Sequence, residues 1–189
     1  MKLVELMLEA GFPPGVVNLV TGGADVGEAM VAHPGVDKIE FIGSGATATK
    51  VLTRAAQSLK PVGLELGGKS AKIVLEDAPN FAMEIAQSML VFHAGQGCAV
   101  QSRLLVHKSR YEEAKAILAH SYGSFGENWG DIDNPAHIMG PVVSKRQQER
   151  VMSYIQLGQD EGATLIAGGK TRPDKGNGYF IEPTCFADM

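Results

Sequence analysis

The chain has 189 residues, 44% of them hydrophobic and 20% charged, with a formal net charge of −4. This balance suits an ordinary globular protein with one or two modest cores and argues against disorder. The charge gives no basic footprint for nucleic acid, no apolar run approaches membrane-spanning length, and the first residues do not read as a secretory signal. In chain order, Leu3, Leu6, Met7 and Ala10 share a helical face that Gly11 ends. Pro13-Pro14-Gly15 is a turn, and Val16 to Val20 reads as a short apolar strand. Helix is predicted from Asp25 to Ala32, strand from Asp37 to Ile42, helix from Ser44 to Ser58 and strand from Pro61 to Leu66. Strands and helices alternating at this spacing predict a parallel sheet with right-handed crossovers.

Gly67-Gly68-Lys69 punctuates the chain and marks the expected boundary. Beyond it, Ser70 to Leu75 is a predicted strand, and Asn80 to Phe92 an apolar helix broken by Gly95-Gln96-Gly97. Ser102 to His107 is a strand and Ser109 to His120 a helix. Gly123 to Pro141 reads as a long loop and Ser144 to Glu161 as a helix. Ala163 to Ala167 and Tyr179 to Phe186 are late strands. The chain contains two cysteines, Cys98 and Cys185. No spacing suggests a zinc site or a disulfide framework, so no metal is expected and a reducing, cytoplasmic setting is.

Two loops carry possible chemistry. Gly43-Ser44-Gly45-Ala46-Thr47-Ala48 leaves a strand and opens a helix, fitting the G-x-G-x-x-G/A dinucleotide pattern. Its glycines would let backbone approach a pyrophosphate, and the helix N-terminus would supply N–H donors. On this pattern alone Glu65 could hold a ribose; equally, the loop could be a glycine-rich turn that binds nothing. The second loop is Phe92-His93-Ala94-Gly95-Gln96-Gly97-Cys98. A nucleophilic cysteine needs access, a lowered pKa and N–H groups near a developing oxyanion, and a glycine-rich loop can offer these. The alternative is a packed, inert thiol. His93 is either a base for Cys98 or a helix-end residue, and Cys185 reads as packing.

Several segments together resemble the NAD(P)-dependent aldehyde dehydrogenase superfamily. They are Gly11-Phe12-Pro13-Pro14-Gly15-Val16-Val17-Asn18, Phe41-Ile42-Gly43-Ser44, Leu64-Glu65-Leu66-Gly67-Gly68-Lys69-Ser70, Gly95-Gln96-Gly97-Cys98, Met139-Gly140-Pro141 and Gly178-Tyr179-Phe180-Ile181-Glu182-Pro183-Thr184. They occur in the family's order and cover nearly the whole chain. The resemblance implies an α/β fold: a partial Rossmann-type parallel sheet over residues 1–67, followed by a partial α/β catalytic domain over 68–189. It implies Cys98 as nucleophile, Glu65 as general base, Gly43 and Ser44 beside the cofactor pyrophosphate, and NAD or NADP as cofactor. Cys98 would attack an aldehyde to give a thiohemiacetal and then a thioester, and Glu65 would activate water to release the acid. The Cys98 N–H would be one oxyanion donor, and Lys69 would be structural.

The chain departs from the family pattern at Gly45, usually Thr, at Ala48, usually Gly, and at His93, often Asn. An upstream oxyanion Asn, an upstream Lys-Pro-Ser/Ala-Glu segment and a downstream Glu-x-Phe-Gly-Pro segment are not in the sequence. The chain therefore reads as the central portion of a longer enzyme. Full-length members are homo-oligomeric, whereas the assembly state of this chain is left open. Two other functions stand beside aldehyde oxidation: a non-catalytic remnant, and cofactor-free ester hydrolysis by Cys98 and Glu65.

Overall fold

The computed structural model describes residues 1–88, 92–126 and 128–189. They divide into two units, Met1–Leu66 and Gly67–Met189.

The first unit begins with helices α1 (Lys2–Glu9) and α2 (Ala24–Ala32) and closes with a β-α-β motif. Strands β1 (Ile39–Gly43) and β2 (Val62–Leu66) flank helix α3 (Gly45–Ala56) and pair in parallel, Ile39 opposite Val62 and Gly43 opposite Leu66. The residues explain the motif. Ser44 is extended (φ −82, ψ 149), so its Oγ can accept from the Thr47 N–H and start the helix. Ala48 and Ala55 are the buried residues of α3, and their small side chains let the helix lie close to its neighbours. Lys60 Nζ donates to the carbonyls of Val31 (2.8 Å) and His33 (2.5 Å), meeting orphan acceptors where α2 ends.

The strand expected over 16–20 does not form. Val16 N–H donates to the Pro13 carbonyl, and Asn18 Nδ2 to the Gly15 carbonyl, so the chain stays in local turns. Val16, Leu19 and Val20 are exposed. An apolar run becomes a strand only when a partner takes up its ladder hydrogen bonds, and no described residue pairs with this one.

The second unit is built on strands β3 (Ala71–Val74) and β4 (Arg103–Val106), also parallel, with Ala71 opposite Arg103 and Val74 opposite Val106. Helices α4 (Phe81–Ala86) and α5 (Tyr111–Phe125) complete a core of Val74, Phe81, Ile85, Ala114 and Leu118. Strand alternation puts Val74 and Val106 into that core and leaves Ile73 and Leu105, opposite each other in register, exposed. Lys72 ties β3 to α4 through the Glu84 carboxylate (2.9 Å) and carbonyl (2.7 Å). Helix α6 (Lys145–Asp160) starts where Ser144 Oγ accepts from Gln147 N–H. Strands β5 (Thr164–Ala167) and β6 (Cys185–Ala187) then pair antiparallel. Two further clusters, Phe125–Trp129–Met139–Phe180 and Val142–Ile155–Ile181, pack this half.

Three expectations change here. The helix predicted from Asn80 to Phe92 ends at Ala86, and residues 89–91 of that span lie outside the described residues. Helix α5 runs to Phe125, past the Gly123 at which a loop was expected, because Phe125 is buried beside Trp129. The strand expected over 179–186 is regular only from Cys185; before it, Tyr179 and Ile181 make single bridges to Val142 and Thr171. Pro183 has no N–H to give a ladder, which interrupts the strand between these points. Among the described residues no helix is long and apolar enough to cross a membrane.

Candidate active site

Cys98 lies in the connection from α4 to β4. Over Phe92–Gly95 the backbone makes a tight, kinked turn in which His93 (φ 50, ψ 29) and Ala94 (φ 50, ψ 38) take left-handed angles. Gly95 continues at φ 72. Left-handed backbone costs a residue with a side chain roughly 1–2 kcal/mol, so this turn persists only because its surroundings hold it. Two sets of contacts do so. Ala94 packs against both hydrophobic clusters built on Phe180 and Ile181. Gln96 donates to the His93 carbonyl from its backbone N–H (3.0 Å) and its side-chain Nε2 (2.9 Å). Its Oε1 accepts from the Val143 N–H at 3.0 Å, 47 positions along the chain.

Beyond this turn Cys98 is exposed and free. It is not a packed thiol. A side-chain carbon placed on Gly68 would meet the Cys98 carbonyl at 3.5 Å, so the glycine pair runs beside the cysteine turn. Arg103 fastens the same neighbours: its Nε donates to the Lys69 carbonyl (2.7 Å) and its N–H to that of Ser70 (3.3 Å). Lys69 Nζ donates to the adjacent Gly68 carbonyl, a local bond. His93 is exposed, and the hydrogen bonds of the turn use its carbonyl oxygen rather than its ring. The other cysteine differs: Cys185 packs against the Val74–Ile85 core. Burial pushes its thiol pKa up, partly opposed by a hydrogen bond with Tyr122.

In the first unit, Gly43 ends β1, Ser44 caps α3, and Glu65 lies on β2 opposite Ile42. Gly43, Ser44 and Glu65 thus come together at the C-terminal ends of two adjacent parallel strands, the place where open α/β sheets bind ligands. Ser44 Oγ satisfies Thr47 N–H, whereas the N–H groups of Gly45 and Ala46 have no acceptor within the helix. Ser44, Gly45 and Ala46 are exposed, and a side chain at Gly45 would meet nothing within 4 Å. The end of α3 can therefore admit an anion. Gly43 has a local explanation as well, since a carbon there would strike the Phe41 ring at 2.6 Å. Glu65 is exposed to water. Cys98 belongs to the second unit. Among the described residues no group of three or more His, Cys, Asp or Glu could hold a metal.

A model of the aldehyde dehydrogenase family matches residues 1–189. The chain belongs to this family. A mitochondrial aldehyde dehydrogenase of Leishmania tarentolae is 44% identical over 191 residues, which cover all of this chain and 38% of the relative. Phenylacetaldehyde dehydrogenase of Pseudomonas fluorescens is 43% identical, again over 100% of this chain and 37% of its own length. The solved aldehyde dehydrogenase of Mycobacterium tuberculosis, complexed with NAD+, superposes with a TM-score of 0.92 at 42% identity. Aldehyde dehydrogenase C of Pseudomonas syringae, complexed with NAD+ and octanal, also gives 0.92, at 34% identity. Each of these structures is covered over 39% of its length and covers all of this chain. These likenesses bear out an aldehyde dehydrogenase-type α/β fold. The chain spans a little over a third of the length of the family members it matches.

Gln96 is the residue that sequence reasoning did not single out. Its place between two glycines before Cys98 was visible, but its Val143 partner could be found only in the folded chain.

Proposed function

We propose that this chain carries the thiol centre and part of the cofactor domain of an enzyme oxidising an aldehyde to a carboxylic acid with NAD(P)+. The carrying observation is Cys98: an exposed thiol just after a constrained turn, in a chain that matches the family along its whole length. In this reading residues 1–67 are part of the dinucleotide-binding domain and 68–189 part of the catalytic domain. The open first turn of α3 supports placing Gly43 and Ser44 beside a pyrophosphate, with the N–H groups of Gly45 and Ala46 as donors. NAD(P)+, when bound, supplies the two-electron acceptor that an aldehyde-to-acid conversion needs.

The chain's own residues do the rest. The Cys98 thiol gives its proton to solvent as its sulfur bonds to the aldehyde carbon, and the Cys98 N–H donates to the oxygen that gains charge; loss of the carbon-bound hydride to the two-electron acceptor would then leave a thioester. At the thioester stage Glu65 takes a proton from water, whose oxygen adds to the acyl carbon. The C–S bond then breaks, the acid leaves and the thiol regains its proton. Both cysteines are free, which suits a reducing compartment such as the cytosol.

The test adds NAD+ or NADP+ and an aliphatic or aromatic aldehyde, follows reduced cofactor, and looks for the acyl group by mass spectrometry. Cys98→Ala should abolish both signals. Glu65→Gln should still acylate but should release acid about 10²–10⁴-fold more slowly. Turnover that survives Cys98→Ala would overturn the covalent role. Ester hydrolysis that needs Cys98 without aldehyde turnover would point to the cofactor-free activity. Neither activity, in a chain with a cooperative thermal transition, would point to a non-catalytic remnant.

A further inference from the structure

We propose that Gln96 is a positioning residue that clamps the cysteine turn to the Val142–Val143 segment and so aims the Cys98 backbone N–H. The proposal rests on the reading of Cys98 as nucleophile. The side chain of Gln96 satisfies two partners at once. Its Nε2 donates to the His93 carbonyl at 2.9 Å, and its Oε1 accepts from the Val143 N–H at 3.0 Å. The first bond closes the turn on itself. The second reaches across 47 positions to the chain just before α6. An amide does both at neutral pH, because one end donates while the other accepts.

The clamp sits where the backbone most needs it. His93 and Ala94 are left-handed, and Gly97-Cys98 come just after Gly95 and Gln96. Ala94 anchors one end of the turn in the core, and Val142, the neighbour of Val143, is buried in the same cluster. Gln96 therefore ties the exposed thiol to a segment that is itself fixed. Misplacement by about 1 Å can cost roughly 10²-fold in rate. The loss expected here is of that kind, confined to a step that uses the Cys98 N–H.

The experiment compares the wild-type chain with Gln96→Met and Gln96→Glu. Amide hydrogen exchange at Val143 tests the clamp without any chemistry. Exchange should speed up by about tenfold or more in Gln96→Met and stay near wild type in Gln96→Glu, whose carboxylate still accepts. Two reactions of Cys98 then separate positioning from access. Acylation by p-nitrophenyl acetate builds an oxyanion, whereas alkylation by iodoacetamide does not.

In Gln96→Met, acylation should fall at least about tenfold while alkylation stays within about threefold. Gln96→Glu should acylate slowly at neutral pH. Its rate relative to wild type should recover as pH falls through the introduced carboxyl's pKa, near about 4.3, because the protonated acid donates again. Fluorescence of Trp129, the single tryptophan, checks that the fold survives. Unchanged Val143 exchange in Gln96→Met, or equal losses of acylation and alkylation with the fold intact, would overturn the proposal. If wild-type Cys98 alkylates but never acylates, the nucleophile reading fails, and Val143 exchange still decides the clamp.

Discussion

At the residue scale the two cysteines are opposites. Cys98 is exposed just after a constrained turn, while Cys185 is packed and its thiol pKa is raised by burial. Iodoacetamide at neutral pH should therefore label Cys98 in the native chain and spare Cys185 until denaturant is added, as peptide mapping would reveal. Because the folded thiol of Cys185 holds its proton longer than the unfolded one, stability is undiminished below the ordinary thiol range. It should decline as pH rises through about 9. A denaturant titration at increasing pH, compared with Cys185→Ala, checks the sign. The sequence separates the two by their surroundings, Cys98 in a glycine-rich loop and Cys185 in an apolar strand, but leaves open whether Cys98 is exposed. Exposure is a property of what packs nearby, and only the fold supplied it.

At the element scale, three positions set clear expectations. Ile85 is fully buried in α4 against Val74 and Leu118. Ile85→Ala should cost about 2–5 kcal/mol in a denaturant melt, by lost transfer energy plus the cavity left behind. Ser44 caps α3 by accepting from Thr47 N–H, so Ser44→Ala should cost about 0.5–2 kcal/mol. Gly168 holds a φ of 75, and a Cβ there would clash with the Pro183 carbonyl. Gly168→Ala should lower stability by about 1–3 kcal/mol and loosen the β5–β6 pairing. Approximate helix starts and the apolar face of the first helix were legible in the sequence, because they depend on residues a few positions apart. The clash at Gly168 was not, because its partner lies across a sheet.

At the scale of the whole molecule, Asp188 illustrates how distant segments are joined. Its carboxylate accepts from Lys115 Nζ (3.0 Å) and Tyr111 hydroxyl (3.0 Å), and its N–H donates back to that hydroxyl at 2.8 Å. The bond from Lys115, followed by those from Thr164 and Tyr111, holds the Asp188 carboxyl below the usual carboxylate range. The sign follows: this stabilisation is present above the unfolded pKa, about 3.9, and is lost as pH falls through the lower folded value. Asp188→Asn should therefore be less stable than wild type at neutral pH, and the gap should close in strongly acid solution. Thermal melts at pH 7 and below 3 would measure it.

The sequence by itself determined the alternation of strands and helices, their parallel pairing around Gly43 and Leu66, the family, and the placement of Cys98 in a glycine-rich turn. Those features are local in period or carried by short ordered motifs. Tertiary structure alone decided that Val16 to Val20 forms no strand, that α5 runs on to Phe125, that Tyr179 to Phe186 is regular only from Cys185, and that Gln96 meets Val143. Each of these depends on a partner far along the chain, and a hydrogen bond or a buried contact exists only once the partner is in place.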